Sequence, residues 1–394
     1  MIQTEMKPLA ERITEWRRHL HRHPELSHQE HETSKYIEEV LRGFGGGLEI
    51  SRPTDTSVLA VLKGEKPSAA AGPVIAFRAD IDALPIQEEA DIDFRSENPG
   101  VMHACGHDCH PAMLLGAVSE LAGRRSEFAG EIRFIFQHAE EVSPGGAEQL
   151  VGRGVIEGVE QIYALHIQPE YPAGVFAVRE GSLTSAADDF VVCIIGSGGH
   201  ASTPQLCVDP LVIGSEIVMS AQQIVSRKLP PLQVPVLTVA TFHCGEANNV
   251  IASSAELTGT IRSHDPAVRV KARELFEQVI RGITDAHGAS YELEWELGCP
   301  GVINASGPVA VSRDAAREVY GKDGVIEASE PSFGTEDFAF YSEAVPASMQ
   351  FIGVHNDAFG KAYPLHHGKM KVDESALPLG AAYYIRVAEK VFGM

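Results

Sequence analysis

Short apolar, β-branched runs alternating with helical stretches constrain this 394-residue chain more than any other feature. Val58–Leu62, Val74–Phe77, Ile132–Phe136 and Ile162–His166 read as strands. Leu9, Ile13, Trp16 and Leu20 recur at helical spacing until Pro24 stops the run. Ser27-His28-Gln29-Glu30 reads as a capping box opening a second helix through Leu41, which Gly45-Gly46-Gly47 ends. Ala112–Leu121, with Pro111 in its first turn, and Ala147–Val151 complete the helices of this part. Strands alternating with helices predict an α/β catalytic domain, a central mixed sheet flanked by helices.

The pattern changes near Ser185. Strands at Phe190–Ile195, Val236–Phe242, Ala255–Ile261 and Tyr291–Leu297 enclose helices at Pro210–Arg227 and Val268–His287. The order β-α-β-β-α-β is the ferredoxin-like split motif, and about 110 residues is a complete domain. The expected organisation is a catalytic domain in two parts, residues 1–185 and 299–394, with an inserted α+β lid domain at 186–298.

Six cysteines at irregular spacing form no disulfide framework and suit a reducing cytoplasm. No secretion signal is read at the start, and no apolar run reaches the roughly 18 residues of a membrane helix. A net charge of −22 argues against nucleic acid as a partner, because polyanions need basic surfaces.

His103-Ala104-Cys105-Gly106-His107-Asp108-Cys109-His110 packs borderline metal ligands into one loop. Three other segments could complete a site: Glu140-Glu141 after one strand, His166 at the end of another, and His366-His367 far downstream. In open α/β sheets ligands gather beyond the carboxyl ends of strands, so Glu140, Glu141 and His166 are expected to converge. Adjacent glutamates point in different directions, which lets one bind metal while the other moves protons. Each residue alone has a plainer reading: Cys105 as a buried thiol, the glutamates as a solvated pair, His166 as a core histidine. His19, His21 and His23 look metal-like in spacing, but i and i+2 do not share a helix face, and they read as structural.

Taken together, these segments resemble the amidohydrolase branch of the M20 metallopeptidase family: hippurate hydrolases, N-acyl-amino-acid amidohydrolases and auxin-conjugate hydrolases. The resemblance runs from Arg18-His19-Leu20-His21-Arg22-His23-Pro24-Glu25-Leu26-Ser27 through the loop and the glutamate pair to Gly199-His200-Ala201 and Asn249-Val250-Ile251. It continues through Gly259-Thr260-Ile261-Arg262 and Gly334-Thr335-Glu336-Asp337-Phe338 to His366 and Asp373-Glu374. It implies two divalent ions (Zn, Mn, Co or Ni) on Cys105, His107, Glu141, His166 and His366, with Glu140 as general base and Asp82 orienting a ligand. It further implies that His200 stabilises the oxyanion and that Asn249 and Arg262 hold a substrate carboxylate. In dimeric members the lid histidine comes from the partner subunit, which leaves open whether His200 acts in cis or in trans. The chain departs from the family pattern at His138, Gln205 and Ala252, none of them an implied ligand. Cys109, His103, His110, His138 and His355 are expected around the site rather than on the metal; Asp80 is left unassigned.

The function implied is hydrolysis of an N-acyl amino acid to a carboxylate and a free amino acid, by a cytoplasmic homodimer paired through the lid. Three rivals stand beside it. One is a metallopeptidase acting on dipeptides or peptide termini, one a thiol enzyme using Cys105, and one a non-catalytic small-molecule-binding protein on the same fold.

Overall fold

The structure, a computed structural model, describes residues 7–68, 71–143 and 145–394. Residues 1–6, the start of the segment in which no secretion signal is read, and Ala69, Ala70 and Pro144 lie outside them. The chain forms two compact units: residues 1–181, 303–330 and 337–394 make the first, and residues 182–302 with 331–336 the second.

In chain order the first unit begins with helices α1 (Lys7–Arg22) and α2 (His31–Phe44) and strands β1 (Glu49–Ser51), β2 (Val58–Lys63) and β3 (Val74–Asp80). There follow α3 (Cys109–Leu121), β4 (Glu131–Gln137), α4 (Gly146–Gly152), β5 (Gln161–Pro172) and β6 (Phe176–Val178). The second unit supplies β7 (Ala186–Ile195), α5 (Pro210–Gln223), β8 (Val236–Cys244), β9 (Ser254–Ser263), α6 (Pro266–His287) and β10 (Ser290–Leu297). The chain then re-enters the first unit with α7 (Ser306–Tyr320), β11 (Val325–Glu327), α8 (Ala339–Ala344), β12 (Ala347–His355) and α9 (Leu377–Phe392).

The first unit holds an eight-stranded mixed sheet in the order β1-β2-β4-β3-β5-β12-β6-β11. Its centre, β4-β3-β5-β12, is parallel throughout. Phe77, Phe134, Phe136 and Tyr163 are buried in this centre, which explains why these strands read as apolar runs and not as alternating ones. Helix α3 is apolar nearly all round, and every residue from Cys109 to Val118 is buried. At Gly116 a Cβ would sit 2.7 Å from Ile13 Cδ1 and 3.0 Å from the Ala381 Cβ, so glycine lets α1 and α9 close on α3.

Two expectations change here. His166 does not end its strand, because β5 runs on to Pro172. β5 pairs with β3 only as far as Ala164, opposite Arg78, while β12 escorts it further, with Phe351 beside His166. His166 therefore lies level with the carboxyl end of β3 although its own strand continues. Nor does Ser27-to-Glu30 form a capping box: Ser27 and Glu30 turn inward, and the Glu25 carboxylate instead accepts the first-turn amides of Glu32 and Thr33, at 3.3 and 2.8 Å.

In the second unit an antiparallel sheet runs β8-β9-β7-β10, and β7 alternates buried and open positions because one face meets solvent. The order gives a ferredoxin-like connectivity, with α5 and α6 as its two helices. Asp209-Pro210 and Asp265-Pro266 start the helices in the same way: the Asp side chain accepts from the first-turn amides and the Pro takes the first helical position. That cap starts α6 two residues earlier than the apolar spacing indicates. Phe190, Leu257, Phe276 and Ile280 form its core. Pro331–Glu336 packs with this unit, for instance through the Arg262 guanidinium donating to the Phe333 carbonyl at 2.9 Å.

Candidate metal centre

The loop between β3 and α3 turns sharply at Gly106, where φ is 87° and a Cβ would lie 2.2 Å from Ile167 Cδ1. Only glycine fits there, so the Cys105–His107 turn presses directly against the strand carrying His166. His366, itself at φ 63°, donates its backbone N–H to the Ala104 carbonyl at 2.8 Å, which locks the late segment onto the same loop. Glu140 and Glu141 follow Gln137, the last residue of β4.

The structure brings all five expected ligands together within the first unit. Cys105 Sγ lies 3.5 Å from His166 Nε2, and Glu141 lies 3.8 Å from His107 Nε2 through one oxygen and 3.5 Å from His366 Nε2 through the other. Cys105, His107 and His166 form one group with donor atoms within 4.8 Å of one another; Cys105, Glu141 and His366 form a second, and His107, Glu140 and Glu141 a third. The first two share Cys105, the layout expected of two neighbouring cation positions.

The hydrogen bonds decide which lone pairs point inward. His107 Nδ1 lies 3.2 Å from Asp82 Oδ1, leaving its Nε2 free. His166 Nδ1 donates to the Ile167 carbonyl at 2.6 Å, leaving its Nε2 towards Cys105. Asp82 is tied down by Ser27 Oγ at 2.7 Å and the Glu141 amide at 3.0 Å, both on its second oxygen. Burial works against the charge on Asp82, but the His107 bond and these donors hold its carboxyl below the usual range. Asp82 therefore orients His107 as an outer-sphere carboxylate does.

The same test answers the question of Asp80. His110 Nδ1 donates to one Asp80 oxygen at 2.5 Å, and Arg78 donates to the other at 2.6 Å. His110 Nε2 in turn accepts the Ile167 amide at 3.0 Å, so no lone pair of that ring remains for a metal. Asp80 thus belongs to a buried network, which Arg78 extends to Gln137 at 2.8 Å and Asp337 at 2.9 Å. His103 is buried with neither ring nitrogen partnered, and burial pushes its pKa down to about 4, which keeps it neutral. His367 Nδ1 accepts the Lys369 amide at 3.0 Å, so of the two adjacent histidines it is His366 that faces Glu141.

The protein atoms alone leave this cluster electrostatically unfinished. Burial drives the Cys105 thiol well up and raises Glu141, while Asp80 and Cys105 outweigh burial to draw a proton onto His107. The buried His107 Nε2 and Glu141 Oε1 both lack a hydrogen-bond partner. A cation among these atoms reverses each tendency, because metal ligands are held deprotonated. The donor set of Cys, His and carboxylate fits borderline divalent ions.

Sequence reasoning overlooked the buttress. Arg17 and His21 bind Asp108 at 2.6 and 2.8 Å, and His21 also reaches Glu88 at 3.1 Å. The signal was the N-terminal His/Arg/Ser motif, whose function could not be assigned without the partners it meets in space.

His200, Asn249 and Arg262 all lie in the second unit. His200 and Val250 are paired in a two-stranded ribbon, and the Ala201 amide donates to the Asn249 carbonyl at 3.1 Å. His200 Nδ1 accepts the Ser202 amide at 3.1 Å, which places its proton on Nε2, the tautomer that donates. Arg262 sits on β9, opposite Ala187 and Val236.

Comparison with known proteins decides the family. The sequence profile of peptidase family M20/M25/M40 matches residues 76–390. The chain belongs to this family. Among M20 relatives, an N-acyl-L-amino acid amidohydrolase of Geobacillus stearothermophilus is 46% identical over 77% of this chain and 82% of its own length. Thermostable carboxypeptidase 1 of Saccharolobus solfataricus is 37% identical over 99% and 98%. A Bacillus subtilis structure described as a dinuclear metal binding peptidase from the M20 family superposes with a TM-score of 0.85 at 35% identity, covering 98% of this chain and 99% of the other. As a member of this peptidase family, the M20 chain is a hydrolase of amide bonds. No helix among its described residues is long and apolar enough to cross a membrane.

Proposed function

We propose that the protein hydrolyses the amide bond of N-acyl amino acids, using two divalent ions held by Cys105, His107, Glu141, His166 and His366. The observation that carries this reading is the overlap of two donor groups through Cys105, with Glu140 beside them and not needed to complete either. Relatives named N-acyl-L-amino acid amidohydrolase and N-acetylcysteine deacetylase, 46% and 38% identical, support the substrate class.

When bound, the ions lower the pKa of water and stabilise negative charge on the carbonyl oxygen. The chain's residues do the rest. Glu140 accepts the proton of the attacking water and returns it to the departing amine, releasing a carboxylate and a free amino acid. Asp82 keeps His107 in the tautomer whose lone pair faces inward. His200, protonated on Nε2, donates to the developing oxyanion, and Asn249 and Arg262 hold the substrate carboxylate, Arg262 as a fork. The second unit acts as a lid and as the surface of a homodimer. Supporting the dimer are the edge position of β8 and the exposed apolar side chains of Leu211, Val212 and Met219 on α5. Zn, Mn, Co and Ni all suit the donors, and a cytoplasmic location suits six cysteines that form no disulfide.

The test is to chelate the protein, reload it with each metal and assay hippurate, N-acetyl amino acids and dipeptides with free amines. Activity that survives chelation and dies on thiol alkylation would instead mark a Cys105 thiol enzyme. Carboxypeptidases 37% identical over 99% of the chain favour a second reading, cleavage at peptide termini by the same residues; faster turnover of dipeptides would select it.

A further inference from the structure

Three non-glycine residues among those described have left-handed backbone: His28 at φ 65°, Ala139 at φ 49° and His366 at φ 63°. Alanine and histidine enter this region at a cost, so something must hold them there. For two of the three the holder is the same atom. Glu30 Oε1 accepts the His28 amide at 3.0 Å and the Ala139 amide at 2.8 Å. Glu30 is fully buried and belongs neither to the proposed ligands nor to the proposed proton path.

Ala139 immediately precedes Glu140. Its carbonyl accepts the Gly146 amide at 2.9 Å, and two residues on, the Glu141 amide donates to Asp82 at 3.0 Å. Glu140 thus stands between two buried carboxylates, Glu30 holding the backbone before it and Asp82 the backbone after it. A change of the Ala139 dihedrals to an ordinary region would swing the Glu140 side chain off its present line, while Asp82 still held Glu141.

We propose that Glu30 is a positioning residue for the reaction: by clamping Ala139 in the left-handed conformation it aims Glu140 at the site. This rests on the reading of Glu140 as the base. It separates Glu30 from the ligands in its consequences, since the clamp acts on proton transfer and not on ion binding. It also gives the N-terminal segment a share in the chemistry that begins far from its own helix.

The test is a double-mutant cycle of Glu30→Leu and Ala139→Gly on metal-loaded enzyme, reading kcat, KM, bound metal by elemental analysis, and thermal midpoint. Leucine removes the acceptor, and glycine adopts positive φ without needing a holder. Glu30→Leu is expected to lower kcat about 100-fold, within the range of a misplaced acid–base group, with KM within about threefold and metal content unchanged. In the Ala139→Gly background the same substitution is expected to cost at least about tenfold less in kcat. Glu30→Gln, which keeps an acceptor oxygen, is expected to fall between wild type and Glu30→Leu. Equal costs in the two backgrounds, or a kcat loss that follows loss of metal, would overturn the proposal. Should Glu30→Leu alone fail to fold, recovery of folded protein in the double variant supports the clamp, and failure of both overturns it. Glu140→Gln run in parallel separates the two ideas: full activity there removes the base, whereas its loss beside an additive cycle removes only the clamp.

Discussion

His107 Nε2 and Glu141 Oε1 lie 3.8 Å apart, both buried and neither with a hydrogen-bond partner. Two buried donor atoms in that relation suit a cation between them. Removing metal is therefore expected to lower the thermal midpoint as well as abolish turnover, and re-addition to restore both. Differential scanning calorimetry of chelated and reloaded protein checks this, and identical midpoints would count against a metal at this place.

Glu140→Gln keeps the size of the side chain and removes its basicity. The expected loss in kcat is roughly 100- to 10,000-fold, with bound metal retained. Steady-state kinetics beside elemental analysis gives the answer, and full activity at saturating substrate would remove Glu140 from the mechanism.

Asp82→Ala frees His107 from its outer partner and also releases the Glu141 amide. Metal affinity is expected to fall about 10- to 100-fold. Competition with a chromophoric chelator measures it; an unchanged affinity would show that His107 needs no such support.

Gly106→Ala places a Cβ against Ile167 at a positive φ of 87°. The expected cost is about 1–3 kcal/mol of stability, together with weaker metal binding as the turn backs away from His166. Denaturant unfolding reads the first and metal titration the second. A variant of wild-type stability would mean that Ile167 yields at no cost.

Burial raises the Glu30 pKa from 4.5 to about 7. A carboxyl whose folded pKa exceeds its unfolded value contributes stability that is fully present below the unfolded pKa and is lost as pH rises through the folded one. Between about pH 4.5 and 7.5 wild type should therefore lose roughly 3 kcal/mol relative to Glu30→Gln. Parallel stability curves for the two proteins across that range would contradict the assignment.

Much of this was legible in the sequence, for reasons that can be named. Strands β3, β4 and β5 are largely buried on both faces, so they appear as short apolar runs, broken in β4 only by Arg133. Cys105, His107, Glu140, Glu141, His166 and His366 all stand out by residue type and motif, and the structure assembles them in one unit. What stayed illegible depended on partners distant in sequence. Ser27 and Glu30 fit a helix cap by spacing, yet Asp82 and the Ala139 amide offer them better partners. Asp80 is not assignable from sequence, because its role depends on His110 and Arg78 occupying its two oxygens. β5 passes His166 because β12 supports it there, and α7 was not delimited because its apolar stripe is short and interrupted.

The hydrogen bond from His366 to the Ala104 carbonyl has a consequence for the order of events during synthesis. A growing chain acquires Cys105, His107, Glu141 and His166 early, then must extrude all of residues 182–302 before His366 emerges. Until then the pocket has four donors and an open side. On the proposed ligand set, an ion can therefore be held by all five donors only once His366 has been made.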